Sequence, residues 1–198
     1  PALSAFVQEE RRGTAHAALQ ARDAIAKARQ VVVAFGDTPL MRADTFKAIS
    51  AALDAGAAVA AVGFQAADPT GYGRFVMREG ALQAIVEHKD ASEAERAIRF
   101  CNAGVMGLSG AHALELLDSI GCDNAQGEYY LTDAVAAAVA RGLSCAALDI
   151  PEEEVQGVND RAQLAAVEKA FQTRARAAAM AAGATLIDPE TVYFSYDT

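Results

Sequence analysis

Two carboxylates stand directly behind apolar runs, where strands of a sheet would end. Asp37 follows the run VVVAF and precedes Pro39, and Glu87 follows the run LQAIV. Ligands in open α/β sheets bind beyond the carboxyl ends of the strands, so two such ends favour a shared cleft. Gly36 would let another group approach the backbone beside Asp37. An alternative for Asp37 is a turn aspartate that caps the next helix, and His88 is interpreted as part of a solvated charge cluster.

Two glycine-containing segments could present bare main chain to a ligand. In RRGTAHA, Gly13 and Thr14 precede a predicted helix, whose free N–H groups suit a phosphate, a carboxylate or the polar edge of a base. Simple helix capping by Thr14 explains the same pair. The segment DPTGYGR, which contains Gly73, is either a tight turn or a place where a ligand touches the backbone.

Polar residues in three further segments complete the candidates. Asn102 interrupts the apolar run FCNAGVM and must be hydrogen-bonded if it is buried there. The loop DNAQGEYYLTD has neither a helical nor a strand period, and such a dense polar loop carries either function or a structural network. In EEEVQGVNDR, Asp160 is the expected cap of the last long helix, which leaves Asn159 free for a ligand.

The composition excludes several classes of protein. The 198 residues are 53% apolar and 22% charged, which indicates a globular domain rather than a disordered chain. A net charge of -9 argues against a nucleic-acid partner, and no apolar run reaches the roughly 20 residues needed to span a bilayer. The three cysteines fit neither a zinc site nor a disulfide framework, so we expect reduced thiols in a cytoplasmic protein.

Helical and strand patterns alternate along the whole chain, and this alternation must position the candidate residues. It predicts an α/β fold, a largely parallel sheet with helices on both faces. Glu79-Gly80 is the expected turn of a hairpin between two neighbouring strands. The other strands are expected at about 31–35, 57–65, 101–108 and 143–150, and the helices at about 14–27, 44–55, 92–98, 110–120, 130–141 and 160–182.

Seven segments together resemble one family, and they occur in that family's order. The family is the uridylyltransferase domain of the bifunctional bacterial N-acetylglucosamine-1-phosphate uridylyltransferase / glucosamine-1-phosphate acetyltransferases. The resemblance implies a Rossmann-like nucleotidyltransferase fold with a mostly parallel mixed sheet. It also implies a Mg-dependent enzyme that makes UDP-N-acetylglucosamine and pyrophosphate from UTP and N-acetylglucosamine 1-phosphate. The matching segments are QEERRGTAHA, FGDTPL, DPTGYGR, IVEHKDAS, CNAGV, NAQGEYYLTD and EVQGVNDRAQL.

The resemblance also implies a role for individual residues. Phe35 stands where the family often has tyrosine, and because the ring is kept we expect binding to survive the change. Asp37 and Asn159 would be the catalytic magnesium ligands. The substrate-binding positions would be Gln8, Gly13 and Thr14 for the uracil, Phe35, Gly36, Asp37 and Asn159 for the nucleotide, and Gly73, Glu87 and Asn102 for the N-acetylglucosamine part.

The chain departs from the family pattern at both ends. The N-terminal Gly-rich loop with its lysine, which binds the triphosphate, is not present, and neither is the left-handed β-helix that carries acetyl transfer. The expectation is therefore a partial, N-terminally truncated uridylyltransferase domain over residues 1–198. As a bare chain it should be nearly inactive, and it should form a trimer only with the missing β-helix. Two alternatives stay open: a non-catalytic UDP-sugar-binding module, and a sugar-nucleotide or molybdenum-cofactor nucleotidyltransferase of other specificity.

Overall fold

The computed structural model describes residues 3–197, which fold as two compact units. The larger unit contains residues 3–35 and 42–152, and the smaller unit contains residues 36–41 and 153–197. Among the described residues, no helix is both long enough and apolar enough to cross a membrane.

The larger unit holds a six-stranded sheet and the shorter helices. Its strands are β1 (Gln30–Val33), β2 (Val59–Gln65), β3 (Arg74–Arg78), β4 (Ala81–Val86), β5 (Phe100–Ser109) and β6 (Cys145–Ile150). Its helices are α1 (Thr14–Leu19), α2 (Arg22–Ile25), α3 (Ala43–Asp54), α4 (Glu93–Arg96), α5 (Ala113–Asp118) and α6 (Asp133–Ala140). The helix expected at about 14–27 is thus two helices, because Ala21 leaves helical geometry at φ −93° and ψ 24°.

The strand order explains a correction to the expected sheet. The order is β4-β3-β5-β2-β6, and β1 also pairs with β5. The expected mostly parallel pairing is wrong, because β5 pairs antiparallel with β1, β2 and β3, and only β2 and β6 form a parallel pair among the described strands. Strands β1, β2, β3 and β6 do share one direction. The antiparallel β5 separates β1 from β2, which the strand-helix alternation could not indicate.

The hairpin between β3 and β4 forms as the sequence predicts. Arg78 pairs with Ala81, so the loop contains only Glu79 and Gly80. Both loop residues have positive φ, 52° for Glu79 and 81° for Gly80. Two such residues are the pattern of a two-residue turn whose twist matches that of the flanking strands. The hairpin therefore fixes where β4 begins, and β4 then runs to Val86, one residue before Glu87.

Helices cover both faces of the sheet, as expected for this α/β fold. A side chain added at Gly107 in β5 would collide with Ile49 of α3, so α3 packs tightly on that face. Met106 and Leu108 point to the opposite face, because successive strand residues alternate. There they join one buried cluster with residues of α5 and α6, including Leu116. The core of the larger unit thus lies between the sheet and α5 and α6.

The smaller unit is built around α7, which spans Arg161–Ala181. Its N-terminus is capped as predicted, because the Asp160 carboxylate accepts a hydrogen bond from the Gln163 N–H at 2.8 Å. The C-terminal tail is held by the buried Gln172 side chain, which makes two 2.8 Å hydrogen bonds to the main chain of Phe194. Arg174 donates to the Leu40 carbonyl at 3.0 Å, so residues 36–41 are bound to the same helix.

Candidate active site

Gly13 lies where two distant segments of the larger unit meet. The Tyr129 N–H donates to the Arg12 carbonyl at 2.8 Å, and the Ala15 N–H donates to the Tyr129 carbonyl at 3.0 Å. Gly13 has φ 106°, and a Cβ there would lie 2.5 Å from the Tyr129 carbonyl oxygen. Both the backbone conformation and the close approach therefore require glycine at this position.

Gln8 and Thr14 contact the same junction. The Gln8 amide nitrogen donates to the Gly13 carbonyl at 3.1 Å and also lies 2.9 Å from Nδ1 of His16. The Thr14 hydroxyl accepts a hydrogen bond from the Leu131 N–H at 2.9 Å. The expected capping role of Thr14 is wrong, because Gly13 occupies the N-cap of α1 and no side chain caps it. The three candidates expected at the uracil are nevertheless brought together.

Gly73, Glu87 and Asn102 are also direct neighbours, although they come from three different segments. Gly73 precedes β3, Glu87 follows β4, and Asn102 lies in β5. A Cβ on Gly73 would lie 3.3 Å from Oε1 of Glu87 and 3.4 Å from the Cβ of Asn102. The Asn102 N–H donates to the Gly73 carbonyl at 2.8 Å. The sequence expectation that Asn102 is hydrogen-bonded holds for its side chain as well, since Oδ1 accepts from the Gly104 N–H at 3.2 Å.

The Glu87 carboxylate sits in an environment that disfavours its charge. Burial raises its pKa above the ordinary glutamate value, and the hydrogen bond donated by the Thr132 hydroxyl at 3.0 Å partly opposes that shift. Asp133 and Asp90 raise the pKa further through repulsion, whereas Arg74 lowers it. The result is a half-buried acceptor whose orientation is fixed by Thr132.

A cavity of about 140 Å³ opens beside Glu87. One wall is the phenol of Tyr130, a buried residue whose pKa is raised by that burial. Lys89 donates a hydrogen bond to Oε1 of Gln126, which joins two other walls. The lining residues are Gly71, Glu87, His88, Lys89, Gln126 and Tyr130. A cavity with these polar groups in its walls suits a small hydroxylated ligand. Gly73 lies against Glu87, one of the lining residues, and against Asn102.

Phe35 packs against the main chain of the same strand that carries Asn102. Gly104 in β5 has φ 76°, and a Cβ there would lie 2.7 Å from two ring carbons of Phe35. Phe35 as a residue remains 42% exposed despite this contact. Glycine at position 104 therefore lets the aromatic ring lie directly on the β5 backbone, two residues from Asn102.

Asp37 and Asn159 come together within the smaller unit. The Val158 N–H donates to the Asp37 carbonyl at 2.8 Å, which ties the two segments together. A Cβ on Gly157 would lie 3.8 Å from Nδ2 of Asn159 and 3.9 Å from the Asp37 carbonyl oxygen. Asp37 and Asn159 are both exposed. The alternative that Asp37 caps the next helix is not realised, because Arg42 is the N-cap of α3.

The donor atoms of this pair fit a magnesium ion better than a transition metal. Within residues 3–197 there is no group of three or more His, Cys, Asp or Glu side chains that could hold a metal. Magnesium, however, takes oxygen ligands, keeps several waters and is held by one or two protein groups plus substrate phosphates. One carboxylate and one amide oxygen, exposed on adjoining segments, are sufficient for that kind of site.

Comparison with known proteins decides the family. A family model described as nucleotidyl transferase matches residues 2–152. This chain belongs to the nucleotidyl transferase family. The matched stretch contains every strand of the sheet and all candidate residues except Asn159.

The curated relatives of this nucleotidyl transferase cover its whole length. It is 58% identical over 199 residues to the bifunctional protein GlmU of Bradyrhizobium sp. (strain ORS 278), across 100% of this chain and 44% of that protein. The GlmU of Xanthobacter autotrophicus is also 58% identical with the same coverage. The GlmU of Sinorhizobium medicae is 52% identical over 198 residues, 100% of this chain and 43% of that one. The chain thus spans less than half the length of these relatives.

A solved structure shares the fold. The nucleoside-diphosphate-sugar pyrophosphorylase from Vibrio cholerae RC9 superimposes with a TM-score of 0.59 at 16% sequence identity, covering 81% of this chain and 66% of that one. At this identity the likeness shows the fold alone. The expected Rossmann-like nucleotidyltransferase fold is confirmed.

Several residues of the nucleotidyl transferase site were not singled out from the sequence. Thr132 and Tyr130 lie in the segment NAQGEYYLTD, whose density of polar groups was the available signal. Their contacts with Glu87 and with the cavity span about 45 positions of sequence, which no local pattern encodes. His16 gave no signal beyond its place in RRGTAHA.

Proposed function

We propose that this nucleotidyl transferase is the uridylyltransferase portion of an enzyme that makes UDP-N-acetylglucosamine and pyrophosphate from UTP and N-acetylglucosamine 1-phosphate. The observation that carries the proposal is the contact of Gly73 with both Glu87 and Asn102, together with the polar cavity that Glu87 lines. These three are the residues expected at the N-acetylglucosamine part, and they come from separate segments of the chain. The 51–58% identity of GlmU proteins over the length of this chain supports the same assignment.

The reaction requires alignment more than covalent help from the protein. An oxygen of the sugar 1-phosphate attacks the α-phosphorus of UTP, the bond to the β-phosphate oxygen breaks, and pyrophosphate leaves. Glu87 accepts hydrogen bonds from sugar hydroxyls, and Asn102 can both donate and accept at the acetamido group. Phe35 offers an exposed ring to the nucleotide. Gln8, Gly13 and Thr14 bind the uracil edge.

We propose that Asp37 and Asn159 hold magnesium. When bound there, the ion would neutralise the charge that develops on the phosphates and help to orient them. Asp37 contributes a carboxylate oxygen and Asn159 an amide oxygen, and both residues are exposed and able to meet a substrate phosphate. Gly36 leaves room beside Asp37, since a Cβ on Gly36 would meet no described atom within 4 Å.

A reducing compartment fits the thiols of the described residues. Cys101, Cys122 and Cys145 are all free. Burial raises the pKa of the Cys145 thiol to about 11, which keeps it protonated and unreactive. Free thiols are typical of cytoplasmic proteins, and we propose that location for this one.

A chimera tests the function. These 198 residues replace the matching segment of the Bradyrhizobium GlmU, and release of pyrophosphate is measured with UTP, magnesium and N-acetylglucosamine 1-phosphate. The parent protein is the positive control. We expect turnover that requires all three additions. A folded chimera that is silent while its parent is active would reject the proposal, and silence combined with retained UDP-N-acetylglucosamine binding would favour a non-catalytic binding module.

Calorimetry on the 198-residue chain tests specificity separately. We expect UDP-N-acetylglucosamine to bind more tightly than UDP-glucose, because the latter lacks the acetamido group that Asn102 would contact. CTP binding that exceeded UTP binding would favour a nucleotidyltransferase of other base specificity. Asn102→Ala should reduce the preference for the acetylated sugar. Gln83→Ala serves as a control, because the Gln83 amide contacts the Ala81 carbonyl at the start of β4.

A further inference from the structure

Gln8 is held in one orientation by two hydrogen-bond acceptors. Its amide nitrogen lies 3.1 Å from the Gly13 carbonyl oxygen and 2.9 Å from Nδ1 of His16. The amide nitrogen carries two hydrogens and can satisfy both contacts. Turning the amide over would place its oxygen against the carbonyl oxygen of Gly13, which is repulsive. The geometry therefore uses both Gln8 donors inside the protein and leaves only the acceptor Oε1 for a ligand.

The two acceptors are themselves fixed by α1. The Gly13 carbonyl also receives the Ala17 N–H at 3.1 Å, as part of the first turn of the helix. Gln20 donates to the carbonyl of His16 at 2.9 Å, and its amide also approaches Nε2 of the ring at 3.4 Å, which is long for a hydrogen bond. The His16 ring lies 6.4 Å from the ring of Tyr129, centroid to centroid.

The contact with Gln8 determines which tautomer His16 adopts. A Gln amide nitrogen can only donate, so Nδ1 of His16 must accept and cannot carry a proton. Of the two neutral tautomers, this contact favours the one with its hydrogen on Nε2. The 3.4 Å approach of the Gln20 amide to Nε2 is too long to impose the other tautomer. Protonation of Nδ1 would place two donors against each other and would favour turning the Gln8 amide over. The tautomer of His16 is thus coupled to whether Gln8 presents its amide oxygen or its amide nitrogen to a ligand.

We propose that His16 is a positioning residue that, together with the Gly13 carbonyl, sets the preference for uracil over cytosine by holding the Gln8 amide with Oε1 toward the base. This inference rests on the proposed function for the identity of the ligand. Uracil offers an N–H donor at N3, which Oε1 can accept. Cytosine has a lone pair at N3, which the same oxygen repels. A Gln8 amide that could turn over freely would accommodate both bases.

The tautomer can be measured without any activity. Long-range ¹H–¹⁵N spectra of the imidazoles in the 198-residue chain at pH 7.5 should show an unprotonated Nδ1 and a protonated Nε2 for His16. A His16→Asn variant assigns the signals. A His16 ring protonated at Nδ1, either as the other tautomer or as the imidazolium, would overturn the proposal whether or not the proposed function is correct.

The consequence for specificity is measured in the chimera as the ratio of kcat/KM for UTP over CTP. His16→Leu removes the acceptor and should lower this ratio about tenfold, on the scale of one hydrogen bond. His16→Asn places an amide oxygen near the position of Nδ1 and should keep the ratio close to that of the wild type. His112→Leu, a histidine outside the site, should leave the ratio unchanged.

The two failures are distinguishable. An unmodified chimera that does not use UTP rejects the proposed function. The spectra still decide which tautomer His16 adopts. An active chimera in which His16→Leu keeps its UTP preference rejects the positioning role. If His16→Leu does not fold, the His16→Asn variant and the spectra decide: loss of the preference in His16→Asn, where an acceptor is retained, would also contradict the proposal.

Discussion

The candidate residues of the two units are held in different ways. In the larger unit, the candidate substrate-binding residues touch one another and are held by neighbouring side chains. In the smaller unit, the segments of the candidate metal ligands are joined through the main chain. Glu87 is half-buried and accepts a hydrogen bond from the Thr132 hydroxyl. Asp37 and Asn159 are exposed, and the bond that ties their segments runs from the Val158 N–H to the Asp37 carbonyl.

The difference matches the chemistry proposed for each group. Recognition of a sugar or a base needs donors and acceptors fixed in advance, because discrimination comes from groups that cannot adapt to the wrong ligand. A magnesium ligand can remain in water until the metal and the phosphates arrive, since the ion keeps much of its hydration shell. Substitutions in the larger unit should therefore affect stability and binding together, and those at the metal ligands should affect turnover alone.

The largest expected effect is on turnover. Asp37→Ala should lower pyrophosphate release by the chimera about a hundredfold or more, because it removes the proposed charged ligand of the metal. Its free energy of unfolding should change by less than about 0.5 kcal/mol, since the side chain is exposed. Asp188→Ala, which alters another exposed aspartate of the same unit, is the control. Near-normal turnover in Asp37→Ala would contradict the proposal that the exposed residues of the smaller unit act in turnover.

The next effect is on the stability of the larger unit. Gly13→Ala should lower the free energy of unfolding by about 3 kcal/mol, because it combines positive φ with a 2.5 Å approach to the Tyr129 carbonyl oxygen. Gly56→Ala is a matched control. Gly56 has φ 103°, and a Cβ there would meet no described atom within 4 Å. Urea denaturation of both variants separates backbone strain from the steric clash, and equal losses would show that the Tyr129 contact is unimportant.

Two neighbouring residues in the smaller unit should respond in opposite ways. Asp160→Ala should cost about 1 kcal/mol of stability, because Asp160 caps α7. Asn159→Ala should change stability little and reduce turnover in the chimera, because its side chain is proposed to bind the metal. Thermal unfolding and pyrophosphate release are measured for both. A destabilised Asn159→Ala with normal turnover would assign Asn159 to the fold and not to the site.

The smallest expected effect concerns the pH dependence of stability. The pKa of Glu87 is raised in the folded chain, chiefly by burial, so its contribution to stability is fully present below the unfolded glutamate pKa and is lost as pH rises through the folded value. Glu87→Gln should therefore stabilise the chain at pH 7.5, by under about 1 kcal/mol, while weakening sugar binding. The gain should vanish below about pH 4. A gain that does not depend on pH would contradict this account.

Much of the local structure followed from short stretches of sequence. The Glu79-Gly80 hairpin, the Asp160 cap and the end of β4 before Glu87 depend on residues a few positions apart. Turn and cap preferences act over that range, so they could be inferred from the chain alone. The strand expected to reach Phe35 ends earlier, at Val33. The membership of the site was inferred differently, from the resemblance of seven segments to one family.

The arrangement of the strands could not be obtained in this way. Alternating strands and helices indicate neither which strands pair nor that β5 and β6 run in opposite directions. β5 lies between β2 on one side and β1 and β3 on the other, with Val31 and Val59 both opposite Leu108. Because β5 runs opposite to β1, β2 and β3, each of its pairs with these strands is antiparallel. The packing of the whole sheet selects that order.

The sequence by itself determined the residue types of the site and the short elements that carry them. Only the tertiary structure decided that Gly73, Glu87 and Asn102 are neighbours, that Thr132 orients Glu87, and that His16 holds Gln8. The tertiary structure also explains why position 13 is glycine, since the main chain of Tyr129 leaves no room for a side chain there. The physical cause is the sequence separation over which each interaction acts. Backbone preferences act between adjacent residues, whereas a binding site is made by packing segments that lie far apart along the chain.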